Sequence, residues 1–229
     1  MKKILFSAVT LDVGGIETAL VTLLNYLAQE KEDDDYKYQI DLVLEEKRGI
    51  FLDSLDKRIK VKTYVPNNAK NVIIRKFSNF VKQQIFKILN KNKFDFACSF
   101  ATYSNPGAFV ARNASKNSCI WCHMDYYKMF DNNQNKVKEF FDEKHICDFK
   151  HIVFVSQRSK DTFLKVYPEL KEKTLYINNL IDYNRILKLA KEDVLEVDDD
   201  NSITTFINVG IFSLFTSSIF IFDFSIIFS

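Results

Sequence analysis

His123 and Asp125 stand two residues apart, immediately beyond an apolar run from Ser118 to Cys122 that reads as a buried strand. An imidazole leaving a strand at that point can hold a hydroxyl or phosphate oxygen, or move a proton. Tyr126 follows in the same loop. A second group lies near the N-terminus, where Ile4–Val9 gives way to Gly14-Gly15 and then to an amphipathic helical pattern containing Glu17. Adjacent glycines let the backbone approach a ligand and reach positive φ, while a first helical turn offers unpaired N–H groups to an anion. The spacing is not G-x-G-x-x-G, so a dinucleotide fingerprint is unsupported. A third group is Ser156 at a helix start with Lys160 one turn later. Plainer readings stand beside each of these. They are a tight turn, a loop histidine, a carboxylate placed to suit the helix dipole, and a cap with a solvated lysine.

Cys119-Ile-Trp-Cys122 has C-x-x-C spacing and is followed by His123. A redox pair belongs at a helix N-terminus, whereas these cysteines fall inside an apolar strand, where they point to opposite faces and cannot bridge. Haem attachment needs export, and residues 1–20 are not expected to act as a signal peptide. Core cysteines in a reduced, cytoplasmic protein is the reading preferred over redox, haem or zinc chemistry.

The elements that position these residues alternate along the chain. Strands are expected at 4–9, 38–44, 59–64, 94–100, 118–122, 151–155 and 174–177. Helices are expected at about 16–30, 51–57, 72–90, 107–115, 157–166 and 184–191, with a charged loop at 30–37. In the helix at 72–90, Ile73, Phe77, Phe80, Val81 and Ile85 gather near one side. Such alternation predicts an α/β fold, a Rossmann-like and mostly parallel sheet with helices on both faces. Ligands then sit beyond the carboxyl ends of the strands, which singles out the loops after Val9, Phe100, Cys122 and Val155. A net charge of +2, with 27% charged residues, gives no electrostatic case for nucleic acid.

Taken in order, four blocks resemble the retaining family 4 glycosyltransferases of the GT-B type. They are Gly14-Gly15-Ile16-Glu17, Trp121 to Tyr126, Val153 to Ser156 with Lys160 and Phe163, and Leu175 to Asp182. The likeness covers about residues 1 to 210, and departs at Asn179 and Leu180, where Asn-Pro or Pro-Ile is usual. It implies an N-terminal, mainly acceptor-holding domain whose glycine loop approaches the donor phosphates, with Gly15 near the phosphate and His123 near the transferred sugar. By the same resemblance Gly14, Glu17, Asp125, Tyr126, Ser156 and Lys160 belong to donor-phosphate or acceptor binding. The substrates would be a nucleotide-sugar and a carbohydrate or lipid-linked acceptor, in surface polysaccharide or glycolipid synthesis. Transfer would need no metal and no cofactor, and would proceed by stabilising the leaving diphosphate and an oxocarbenium-like state. A cytoplasmic location follows, with peripheral association at the inner face of the membrane as an option.

The domain expectation is 1–192 for the Rossmann-like domain, 193–202 for an acidic linker and 203–229 for an apolar tail. Residues 204–210 fit the opening strand of a second domain, but Ile211 stands where an arginine is usual and a run rich in Phe, Ile and Ser follows. A frameshift or truncation before the donor half is one explanation. A membrane anchor is another, weakened by Asp223 and by the lack of flanking Lys or Arg. Two alternatives to the enzyme reading remain open: a non-catalytic module or half of a split enzyme, and a redox protein using Cys119 and Cys122.

Overall fold

The computed structural model describes residues 1–192. The expected linker at 193–202 and tail at 203–229 lie outside the described residues. One compact unit comprises Met1–Asn184. Its centre is a seven-stranded sheet built from β1 (Lys2–Ala8), β4 (Tyr38–Leu44), β5 (Lys60–Thr63), β6 (Phe96–Ser99), β7 (Ser118–Cys122), β8 (His151–Phe154) and β9 (Thr174–Tyr176). Two further strands, β2 (Lys31–Glu32) and β3 (Asp35–Tyr36), form a small antiparallel hairpin.

The sheet runs in the order β5-β4-β1-β6-β7-β8-β9, and every pairing in it is parallel. The chain fills one side of β1 and then crosses to fill the other, the doubly wound arrangement. Both faces are buried, as parallel sheets require. Along β1, Ile4, Phe6 and Ala8 enter one core cluster with Leu20 and Leu24 of α1 (Gly15–Gln29). Leu5 points to the other, with Val110 of α3 (Asn105–Ala114), Phe141 of α5 (Gln134–Asp142) and Phe163 of α6 (Gln157–Leu164). Also present are α2 (Val72–Asn90), the short α4 (Tyr126–Met129) and α7 (Tyr183–Leu189).

Differences from the sequence expectations are local. The helix expected at 51–57 is a single 3-10 turn, Leu52–Ser54. The charged loop at 30–37 is folded as the β2–β3 hairpin, turned by Asp33 and Asp34 at φ 50° and 70°, a conformation that Asp tolerates better than most residues. α4 and α5 lie in a stretch for which no element was expected; both are short, and each starts from an Asx cap, Asp125 and Asn133.

Candidate functional site

Because the strands are parallel, the loops after β1, β4, β6, β7 and β8 leave from one edge of the sheet. The glycine loop and His123 therefore stand at the same edge, two strands apart, with the loop after β6 between them.

Gly14 caps α1 in extended conformation, φ −179° and ψ 157°, and no side chain caps the helix. Neither Gly14 nor Gly15 has positive φ, so the conformational reason expected for the pair does not apply. Space bears on Gly14 alone, and there only against a movable side chain. A Cβ at Gly14 would overlap the Glu17 carboxylate, which folds back over the helix start, while a Cβ at Gly15 would meet open space. The first-turn N–H groups are the positive end of the helix dipole, and Glu17 is the charge now nearest them. Its Oε1 accepts a hydrogen bond from the Tyr103 hydroxyl at 3.3 Å, which ties the glycine loop to the loop after β6. Burial, followed by the Glu17 charge, pushes the Tyr103 phenol up to about 12.

The glycine that does need positive φ is Gly49, at φ +124° in the loop after β4. A Cβ there would strike the backbone of Leu11 and Asp12. This loop braces the one after β1: Leu11 N donates to Arg48 O at 2.9 Å, Phe51 N donates to Leu11 O at 3.1 Å, and Arg48 pairs with Asp12 at 2.5 Å. From the same loop Glu45 accepts the Ser104 hydroxyl at 2.5 Å, and Ser104 in turn caps α3.

His123 is half-buried and lies against the Phe100 ring, centroid to centroid 4.6 Å. Its Nε2 is 3.0 Å from Phe100 O. A carbonyl only accepts, so Nε2 carries the proton and Nδ1 holds the lone pair. Desolvation lowers its pKa to about 4, against a smaller opposing effect of the Phe100 carbonyl, so the ring is neutral at physiological pH. Asp125 is engaged structurally: Oδ1 accepts from Lys128 N at 3.0 Å, capping α4, and from the Thr162 hydroxyl at 3.0 Å on α6. Tyr126 is 3% exposed and stacked on Phe140, so its side chain belongs to the core rather than to the open edge. Ser156 caps α6, accepting from Ser159 N and donating to Ser159 Oγ. Lys160, half-buried, sits one turn further on.

Two hollows open along this edge. One, of about 570 Å³, is lined by Asp125, Lys128, Arg158 and Thr162. The other, of about 740 Å³, is more apolar and lies between Leu23 and Leu27 of α1, Trp121, and Ile177 to Ile181. Trp121 also contributes a buried indole N–H with no partner among the described residues.

Solved structures resemble this arrangement. The Anabaena Alr3699/HepE protein, solved in complex with UDP and glucose, aligns with 83% of this chain at TM-score 0.54 and 16% identity. The lipopolysaccharide outer core galactosyltransferase WaaB, in its apo form, aligns with 79% at TM-score 0.49 and 13% identity. The chain covers 50% and 46% of their lengths, about half of each. The likeness to HepE is one of fold, a Rossmann-like α/β domain with a parallel sheet. No protein-family model matches the chain, and no curated protein matches its sequence.

The structure thus brings Gly14, Gly15, Glu17 and His123 to one edge, with Asp125, Ser156 and Lys160 further along it, and turns Tyr126 inward. Sequence reasoning passed over Glu45, Arg48, Gly49 and Arg158. The first three follow a correctly expected strand, so the carboxyl-end rule applied to Leu44 points to them as well. Cys119 and Cys122 enter opposite core clusters, as their odd spacing on one strand requires.

Proposed function

We propose that this chain is the acceptor-side domain of a retaining, nucleotide-sugar-dependent glycosyltransferase that works in surface polysaccharide or glycolipid assembly. The carrying observation is the placement of the uncapped α1 N-terminus and a neutral, oriented His123 on either side of the loop after β6. Amides at a helix start suit a diphosphate. A neutral imidazole whose Nε2 is committed to Phe100 O offers Nδ1 as an acceptor for a sugar hydroxyl. With a pKa near 4 it supplies almost no imidazolium at neutral pH, so its role is to hold the sugar rather than to donate a proton. HepE, whose fold is similar, was solved with UDP and glucose, which supports the choice of donor class.

Glu17 is the obstacle as well as the clue. Its carboxylate covers the helix start, and donor phosphate has to displace it, leaving it to accept from a sugar hydroxyl instead of Tyr103. The reading calls for no resident cofactor.

The test is a titration of isotope-labelled protein with UDP and UDP-glucose, followed by amide NMR. Shifts concentrated at Gly14, Gly15, Glu17 and His123 are the expected outcome. Resonances that stay put there at millimolar nucleotide, or that move only at a distant surface, would remove the basis of the assignment.

A further inference from the structure

α2 is built inside out. Arg75, Ser78, Asn79, Gln83, Phe86 and Asn90 form its half-buried side, while no residue of the helix is fully buried. That inner side is held mainly by polar links. Asn67 N donates to Asn79 Oδ1 at 2.6 Å, Asn79 Nδ2 donates back to Asn67 O at 3.1 Å, and Asn67 Nδ2 reaches Ser78 Oγ at 3.0 Å. Phe86 adds ring contacts with Tyr64 and Phe109. The opposite side is apolar and open: Ile73 is 79% exposed, Phe77 68%, Phe80 57% and Ile88 80%. An ordinary surface helix buries the apolar stripe and wets the polar one; here the two are exchanged.

The segment that carries this helix is cationic. From Lys57 to Phe94 there are eleven Lys or Arg residues and not one Asp or Glu. On α2 itself, Lys76 and Lys87 fall on one flank of the apolar stripe and Lys82 on the other, by 100° helical spacing, with the Lys82 ammonium donating to Val65 O at 3.0 Å, while Arg75 is half-buried on the inner side. Beyond the helix C-terminal end a hollow of about 460 Å³ is lined by Ile88 together with Lys87, Lys91, Arg112 and Lys116. Arg112 is paired with Asp148.

We propose that α2 docks flat on an anionic lipid surface, its phenylalanines and isoleucines at the level of the upper acyl chains and its lysines among the headgroup phosphates. Apolar exposure alone would fit a protein partner or a second copy equally well. The cationic flanks and the absence of any carboxylate across 38 residues, 57 to 94, select a negatively charged bilayer. Long lysine stems let the ammonium groups stay in the headgroup layer while the stripe between them enters it. The 19-residue helix carries four Lys or Arg residues, of which Lys76 and Lys87 stand exposed beside the stripe, and it lies along the surface rather than across it. Among the described residues no helix is long and apolar enough to cross a membrane.

This surface stands independently of the glycosyl-transfer reading, since binding to lipid is measured without nucleotide or sugar. The experiment is co-sedimentation of the full chain with vesicles of phosphatidylcholine containing about one-third phosphatidylglycerol, against vesicles of phosphatidylcholine alone. Binding to the anionic vesicles only, weakened by salt, is expected. Two variants are compared, Phe77→Ser with Phe80→Ser and Ile88→Ser, and Lys76→Glu with Lys82→Glu and Lys87→Glu. Each should lose roughly tenfold or more of the binding while keeping the far-UV circular dichroism and melting temperature of the parent. Equal binding to neutral vesicles, undiminished binding by either variant, or no vesicle binding at all overturns the proposal. So does a stable dimer in sedimentation velocity that the Phe77→Ser variant abolishes, because the face would then belong to a second copy.

Discussion

His123 Nε2 donates to the Phe100 carbonyl at 3.0 Å, joining the end of β7 to the loop after β6 and fixing which ring nitrogen carries the proton. The same burial that holds the ring there depresses its pKa to about 4. In the unfolded chain the ring protonates near pH ~6.5. Between those values the unfolded state binds more protons, so stability rises with pH through the window and is lost as pH falls from about 6.5 toward 4. The contribution is at most roughly 3 kcal/mol. His123→Gln keeps an N–H donor without a titrating ring. Urea melts of parent and variant should diverge with pH across this window; parallel curves would mean that His123 titrates normally.

Glu17 and Tyr103 give a second handle on the same edge. In Glu17→Gln the negative charge beside the phenol disappears, so the Tyr103 pKa should fall from about 12 toward its ordinary value, read by ultraviolet titration. Burial remains the larger cause, so the return is partial. The same change removes a carboxylate from the α1 N-terminus, where it competes with any incoming anion. Affinity for UDP should therefore rise severalfold on isothermal calorimetry. Weaker UDP binding by Glu17→Gln would place the phosphate elsewhere.

Gly49→Ala should be among the costlier single changes in the loops. The residue sits at φ +124°, and a Cβ would strike backbone atoms of Leu11 and Asp12, which cannot swing aside as a side chain can. A loss of about 2–4 kcal/mol is expected in chemical denaturation. Gly15→Ala meets open space and should leave stability within about 1 kcal/mol of the parent. A large loss at Gly15 together with a small one at Gly49 would reverse this account of where glycine is required.

Strand period and length made the sheet legible: β4 and β7 match the expected 38–44 and 118–122 residue for residue, and α2 matches 72–90. Parallel order then carried the choice of edge, since apolar strands joined by helices leave few other topologies. Side-chain direction was less legible. Tyr126 and Asp125 are neighbours in the sequence, yet one enters the Phe140–Phe141 aromatic cluster and the other caps α4. α5 escaped because Gln134–Asp142 is polar overall, and buries Val137 and Phe141 four residues apart. The stripe on α2 was visible as a pattern, but periodicity does not say which side faces the sheet. That depended on Asn67, in the loop before α2, pairing with Asn79 on the helix, twelve residues further along the chain.

Thiol chemistry separates a structural from a redox role for the C-x-x-C pair. Cys98, Cys119 and Cys122 are buried and Cys147 is exposed, all as free thiols. Burial raises the Cys98 and Cys122 thiols, with neighbouring cysteines adding to the effect, and a thiol held protonated is a poor nucleophile. Cys119 and Cys122 face opposite sides of β7, so a bond between them would require that strand to come apart. One thiol, Cys147, should react promptly with an aromatic disulfide reagent in the native protein, and all four should react after denaturation. Oxidant should leave the native melting temperature unchanged, because the β7 pair has no geometry in which to close. Prompt reaction of two or more thiols in the native state, with a Cys119–Cys122 crosslink found by mass spectrometry, would favour the redox reading over core cysteines.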